Sequence, residues 1–288
     1  MAGKNKELSW SLSRARMFEE CPRRYYFHYY YAPMGFAFDA PEDAKLAVEM
    51  RKVQSLDMWA GDLVHQTIQW AFEQSRDGVS VTEDAAREEV RRRLSDGWKG
   101  SVGRLWRTDP EEYPNLFNHY YGVSVGRETT DRIKEKALTS VRNFVTSDLF
   151  QEILRVPPEH WLPIEKYASF RVDGLLMYLK FDFALRNGGR LTVYDWKTGK
   201  PTPGETRQLA CYALYASDKW GVPITDTDVC AVHLQPDLDA EPRQVDQHDI
   251  DEMRSYVKAS FGEMVKLLRN PAKNVAAMDD FPMCVNLV

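Results

Sequence analysis

The feature that most narrows the choice of fold is a change of hydrophobic period at Pro157-Pro158. Upstream, apolar residues recur three and four apart, as in Leu56, Trp59, Leu63, Ile68 and Phe72 within 44–73, where Gly61 is almost the sole breaker. That is the stripe of a helix with a buried face. More helix-rich sequence runs from Thr82 to Phe150, with a loop around Thr108 to Pro114. Downstream the period is two: Ile164 to Phe170 and Gly174 to Leu185 alternate apolar with polar, and Leu191 to Trp196 is short and β-rich. Asn187-Gly188-Gly189 supplies a hairpin turn between the last two segments, because tight hairpin turns demand positive φ. Gly204 to Ser217 returns to helical spacing, Asp228 to Gln235 reads as a strand, and Ile250 to Leu268 is helical. The predicted order is helices, three antiparallel strands, a helix, a strand and a final helix. This is an α/β or α+β single domain with a long helical N-terminal portion. The opening, Trp10 to Tyr31, has a cap signal at Ser9 to Ser13 and ends in aromatics, which predicts a helix interrupted or bent at Pro22.

Composition removes several function classes. A mean hydropathy of −0.51, with no apolar run near the ~18 residues that a membrane helix needs, excludes a spanning segment. Met1 to Leu8 has no apolar h-region, so no secretory signal is read there. The four cysteines, at positions 21, 211, 230 and 284, are scattered as reduced thiols are, and the expected location is the cytoplasm. A net charge of −5 argues against a coat protein that covers nucleic acid by charge alone.

The chemistry-bearing residues gather around the predicted hairpin. In Asp195-Trp196-Lys197 the acid and the lysine share one strand face, and a register that brings Asp182 opposite would converge two carboxylates and an ammonium. Paired carboxylates bind a hard divalent cation through oxygen, and a lysine beside them can polarise water. Asp182 stands between Phe181 and Phe183, where an acid is costly without a partner. The plainer alternatives are a solvated strand end, or ion pairs of the carboxylates with Lys180 and Lys197. Gly61-Asp62-Leu63-Val64-His65 offers an imidazole one turn after a glycine, or simply a structural histidine on a closely packed helix. Gln208 and Tyr212 project from one face of the helix after the lysine, as a polar edge or as groups for phosphate, water or a base.

Taken together and in this order, these elements resemble the RecB-like branch of the PD-(D/E)XK nuclease superfamily, which includes exonucleases associated with CRISPR adaptation. The likeness rests on Gly61 and His65, Asp182, Asp195 and Lys197, and Gln208 and Tyr212, and on the opening Ser11-Leu12-Ser13 through Phe18 to Cys21-Pro22-Arg23-Arg24-Tyr25-Tyr26. It implies a restriction-endonuclease-like core, a mixed central sheet flanked by helices, within a single domain over 1–288 that carries a helical insert subdomain at 79–160. It also implies hydrolysis of DNA phosphodiesters with Mg2+ or Mn2+, as an exonuclease on ends or single strands. By position, His65, Asp182, Asp195 and the Trp196 carbonyl would ligate the metal. Lys197 would position the attacking water, Gln208 and Tyr212 would orient Lys197, water or DNA, and Glu165 would be an accessory acid. DNA is the implied partner, with a helicase or recombination protein beside it in repair. The alternative is a catalytically weak or inactive DNA-binding or scaffold subunit of a recombination or repair complex.

The sequence also departs from that pattern. Iron–sulfur members use one cysteine near the N-terminus and three near the C-terminus, whereas here Cys21 is followed only by Cys211, Cys230 and Cys284. An iron–sulfur cluster is therefore not expected. Lys180 stands where the family places a glycine. Arg14, Arg16, Arg23 and Arg24, interleaved with Tyr25, Tyr26, Tyr29, Tyr30 and Tyr31, are either DNA contacts or the packing of the first helix on the domain. Arg91-Arg92-Arg93 reads as a solvated helix face, and Trp98, Trp106, Tyr113, Phe117, Tyr120 and Tyr121 as core or a gating lid.

Overall fold

The computed structural model describes residues 7–162, 166–202 and 204–284. The chain begins with β1 (Ser9–Trp10), α1 (Leu12–Glu20) and α2 (Pro22–Tyr26), followed by π- and 3-10-helical turns to Phe36. It continues through α3 (Glu42–Arg51), β2 (Val53–Gln54), α4 (Leu56–Arg76), α5 (Glu83–Val102), β3 (Asn115–Leu116) and α6 (Phe117–Tyr120). Next come α7 (Arg127–Val145), α8 (Asp148–Arg155), β4 (Lys166–Val172), β5 (Leu175–Phe181), β6 (Phe183–Asn187) and β7 (Arg190–Lys197). The remainder is α9 (Glu205–Trp220), β8 (Thr227–His233), β9 (Asp239–Ala240), β10 (Arg243–Gln244), α10 (Gln247–Lys266), β11 (Leu268–Asn270) and β12 (Val275–Ala276).

The period change at Pro157-Pro158 is a real boundary between a helical and a mixed half. β7 and β8 are parallel, joined by α9 as the crossover that parallel strands require. The main sheet runs β10-β8-β7-β6, with β9 also on β8, and a smaller one runs β1-β5-β4. The result is mixed α/β, sheets flanked by helices, as the sequence predicted. Among the described residues no helix is long and apolar enough to cross a membrane.

Two local differences from the sequence reading matter. The predicted helix over 44–73 is split, because Val53 and Gln54 pair with Asn115 and Leu116 and Ser55 then caps α4 by accepting from the Met58 amide (3.2 Å). The predicted strand 174–185 is also split: β5 pairs with β4 and β6 with β7, so the chain changes sheets at Asp182. The hairpin turn behaves as expected, with Gly188 and Gly189 at φ +57° and +86°.

Side-chain alternation gives the main sheet two buried faces. Val193, Ala184 and Val229 pack with α9 and α10, while Phe183, Tyr194, Trp196 and Val232 pack with α4, α7 and α8. Asp195 and Lys197 lie on the first face with Val193, toward α9. On the other, Phe72 of α4 stacks on Phe183 with ring centroids 4.4 Å apart and planes 4° from parallel. This contact anchors α4 beside the residue that follows Asp182.

Candidate active site

The site is built where β6 ends. The β6–β7 ladder pairs Phe183 with Tyr194 as its last rung, and continuing that register sets Asp182 against Asp195. Asp182 keeps its backbone out of the ladder and its side chain takes over: the Trp196 amide donates to Asp182 Oδ2 at 2.7 Å. Its other oxygen, Oδ1, lies 3.3 Å from His65 Nδ1. His65 is delivered by α4, which runs close to the exit of β7 because Gly61 has no side chain; a Cβ there would sit 3.2 Å from Thr198 Oγ1.

Asp195 is held from α9. Tyr212, one turn after Gln208, places its hydroxyl 2.9 Å from Asp195 Oδ1 and 3.1 Å from the Lys180 carbonyl. A hydroxyl carries one proton, and the charged carboxylate is the stronger acceptor. Gln208 Nε2 donates to the Tyr212 oxygen (2.8 Å) and reaches Asp195 Oδ1 (3.2 Å), while its Oε1 accepts from Lys197 Nζ (2.9 Å). One amide thus bridges carboxylate, phenol and ammonium, which fixes its orientation. Lys197 forms an ion pair with Asp195 Oδ2, yet that buried oxygen has no hydrogen bond of regular geometry.

Both carboxylates are only 4% exposed. Burial, and then the charge of Asp182, raise the Asp195 carboxyl above its ordinary value against the pull of Lys197. The Tyr212 phenol is raised well above its ordinary value by burial and by the same two carboxylates, so it acts as a neutral donor. Such a pair is expensive to keep, and a fold that only needed strands would not hold it.

The structure thus brings together Asp182, Asp195, Lys197, Gln208 and Tyr212, with His65 against Asp182. Glu165 lies outside the described residues. The Trp196 side chain is buried in the helical core, away from the carboxylates, so this residue meets the site through its backbone. Oxygen and imidazole donors without thiols suit a hard divalent cation, and Asp195 Oδ2, met by the Lys197 ammonium and by no regular hydrogen bond, is a buried acceptor of the right kind. As the side chains stand, however, no group of three or more His, Cys, Asp or Glu among the described residues is arranged to hold a metal ion. Asp195 faces Lys197, Gln208 and Tyr212 instead.

Two contributors escaped the sequence reading. His233 sits beside Lys197 in the parallel β7–β8 register. Its Nε2 is 3.2 Å from Glu205 Oε2, and Glu205 Oε1 accepts from the Thr202 amide at 2.7 Å. The pair ties β8 to the start of α9 and so restrains the loop that follows Lys197. A histidine near the end of the predicted strand 228–235 was the only local signal.

The N-terminal arginines and tyrosines resolve mostly to packing. Arg14 lies over Tyr29 (4.3 Å), Arg23 Nε donates to the Phe281 carbonyl (2.7 Å), and Arg24 pairs with Glu20 (2.6 Å). Tyr25, Tyr26 and Tyr30 surround Phe281. Cys21 and Cys284 meet, with the Cys284 amide 3.5 Å from Cys21 Sγ. Cys211 and Cys230 are buried in α9 and β8, and burial pushes both thiols up to about 12.

Comparison with known proteins agrees with this construction. No curated protein matches the chain. A solved structure of a candidate exonuclease from Eubacterium rectale is similar at 12% identity and a TM-score of 0.35, over 80% of this chain and 86% of that one. A likeness that loose carries no argument about activity. The sequence family described as the PD-(D/E)XK nuclease superfamily, by contrast, matches residues 9–284 and therefore both sheets, α4, α9 and every site residue placed above. On that match, the chain belongs to the PD-(D/E)XK nuclease superfamily.

Proposed function

We propose that the chain is a metal-dependent deoxyribonuclease of the RecB-like branch, acting as an exonuclease on DNA ends or single strands. The observation that carries this reading is the buried Asp182–Asp195 pair, closed by Lys197, Gln208 and Tyr212. His65, Asp182, Asp195 and the Trp196 carbonyl would hold Mg2+ or Mn2+, which when bound supplies activation of water and offset of phosphate charge. The chain's own groups do the rest. Lys197 Nζ, aimed by Gln208 Oε1, holds a water for attack and stands against the negative charge that builds on the phosphoryl oxygens. Tyr212 and Gln208 Nε2 keep Asp195 in one rotamer. Thr198, pressed against Gly61, sets the exit of the chain behind the lysine. Residues 1–288 act in this reading as one nuclease domain, with the helical insert at 79–160 flanking the cleft.

A non-cleaving DNA-binding subunit working beside a helicase or recombination protein is the second reading. The lysine ammonium against Asp195 Oδ2 favours it, because that is an oxygen a cation would use. Incubation of end-labelled DNA with Mn2+ separates the two. Cleavage by the wild type that is lost by at least two orders of magnitude in Asp195→Ala and Lys197→Ala supports the nuclease. Binding without cleavage, or full cleavage by either variant, refutes it. A covalently closed single-stranded circle should resist an exonuclease, and its digestion would remove that part of the proposal.

A further inference from the structure

The outer face of the smaller sheet is not used by the site as described. In the β4–β5 register Tyr167 pairs with Lys180 and Ser169 with Tyr178, so the two tyrosines are diagonal neighbours on one face. Both rings are left to solvent, Tyr167 at 78% exposure and Tyr178 at 44%. The Lys180 ammonium lies 5.9 Å from the Tyr167 ring centroid. Between this face and α1 is a cavity of about 440 Å3 that runs from the tyrosines past Lys180 to Gln208 and Tyr212. The groove thus leads from this face to the two side chains, Gln208 and Tyr212, that hold Asp195.

Charge along the groove is positive where it counts. Arg24 is neutralised by Glu20, but Arg16 on the same wall makes no ion pair among the described residues. Its guanidinium crosses to the start of α9: a Cβ on Gly204 would fall 2.3 Å from Arg16 Nη2. The arginine thus stands beside the N-terminal end of a 16-residue helix, where amides and dipole also favour an anion.

We propose that Tyr167 and Tyr178 form a base-stacking subsite for single-stranded DNA, with Arg16 taking a backbone phosphate between that subsite and the carboxylates. Exposed aromatic faces flanked by cations hold unpaired bases without regard to sequence, whereas in a duplex those faces are covered by neighbouring pairs. The inference rests on the nuclease reading for what lies at the groove's inner end, and it makes single strands the preferred substrate within that reading.

The test is equilibrium binding of the full chain, in EDTA so that no cleavage intervenes, to a fluorescent oligothymidine and to a duplex of equal length. Tyr167→Ala with Tyr178→Ala should weaken single-strand binding about tenfold or more, with duplex binding unchanged. Phe at both positions should restore it, since stacking needs the ring and not the hydroxyl. Arg16→Ala should reduce the slope of log affinity against log salt by about 0.7, the share of one phosphate on a single strand. All three altered positions are exposed, and an unchanged Tm confirms folding. Wild-type affinity in the double alanine variant, equal losses on single strand and duplex, or no single-strand binding by the wild type would each overturn the subsite. Absence of cleavage in Mn2+ bears on the nuclease reading alone, because the binding measurement does not depend on it.

Discussion

Gln208 shows how much positional information one side chain can carry. Its amide bridges Lys197, Tyr212 and Asp195, so one neutral side chain decides where the lysine and the carboxylate stand. Gln208→Leu is expected to keep the fold and to lower kcat about 10–100-fold, the usual cost of losing a hydrogen-bonded supporting group. KM should change little, and steady-state rates at saturating DNA are the measurement. A KM effect with unchanged kcat would instead make Gln208 a DNA contact. Its place was legible in the sequence because four-residue spacing puts Gln208 and Tyr212 on one helix face. His233 and Glu205 were not legible. Their pairing exists only because β8 aligns His233 with Lys197, and no periodicity reports a parallel register across an intervening helix.

At the scale of elements, the position of α4 is the variable that matters, since it carries His65. One end is fixed by the stack of Phe72 on Phe183. The other is fixed by Asp57, which accepts from both Arg132 nitrogens at 2.9 Å and from Lys136 at 3.1 Å, all on α7. These partners hold the Asp57 carboxyl down at about 2, below its ordinary 3.8. A depressed carboxyl stabilises the fold above its unfolded pKa, and that contribution disappears as pH falls from about 4 toward about 2. Asp57 is 48% exposed, so the gain is limited to about 1 kcal/mol. Asp57→Asn should therefore lower Tm by a few degrees at neutral pH, with the difference from wild type closing as acid protonates the native carboxyl. A gap that persists at pH 2 would show that the carboxylate's charge is not its source. Helix was predicted over 44–73 from apolar spacing and within the helix-rich stretch 82–150, but the ion pair spans α4 and α7, and charged residues on two exposed faces give no sign in sequence of which will meet.

Across the whole molecule, the described termini close on each other. Phe281, fully buried, fills a socket made by Tyr25, Tyr26 and Tyr30, and Arg23 holds its carbonyl. Tyr25 and Tyr26 are thus core residues, with Tyr29, Tyr30 and Tyr31 half-buried against them. Removing a buried phenylalanine costs about 3–5 kcal/mol, and each kcal/mol lowers Tm by about 2–4 °C in a chain near this size. Phe281→Ala should thus lower Tm by roughly 10 °C in a thermal melt. A shift of a degree or less would mean that the tyrosines close over the gap and that the terminal contact is not structural. The net charge of −5 remains compatible with DNA work at this scale, because it sums over the whole chain, while Arg16 at the groove makes no ion pair among the described residues.

What the sequence determined by itself is local. Alternation at Asp195 and Lys197 set them on one strand face, helical spacing did the same for Gln208 and Tyr212, and the break of period at Pro157-Pro158 separated helical from mixed halves. Neighbouring residues carry that information, because backbone geometry fixes where side chains at short separations point. Only the tertiary structure decided that the chain changes sheets at Asp182, that α4 brings His65 to it, and that Tyr25 and Tyr26 are buried while Tyr167 and Tyr178 are exposed. Those outcomes depend on which faces cover which, and burial of an apolar face favours any partner of matching shape without naming it in the local pattern.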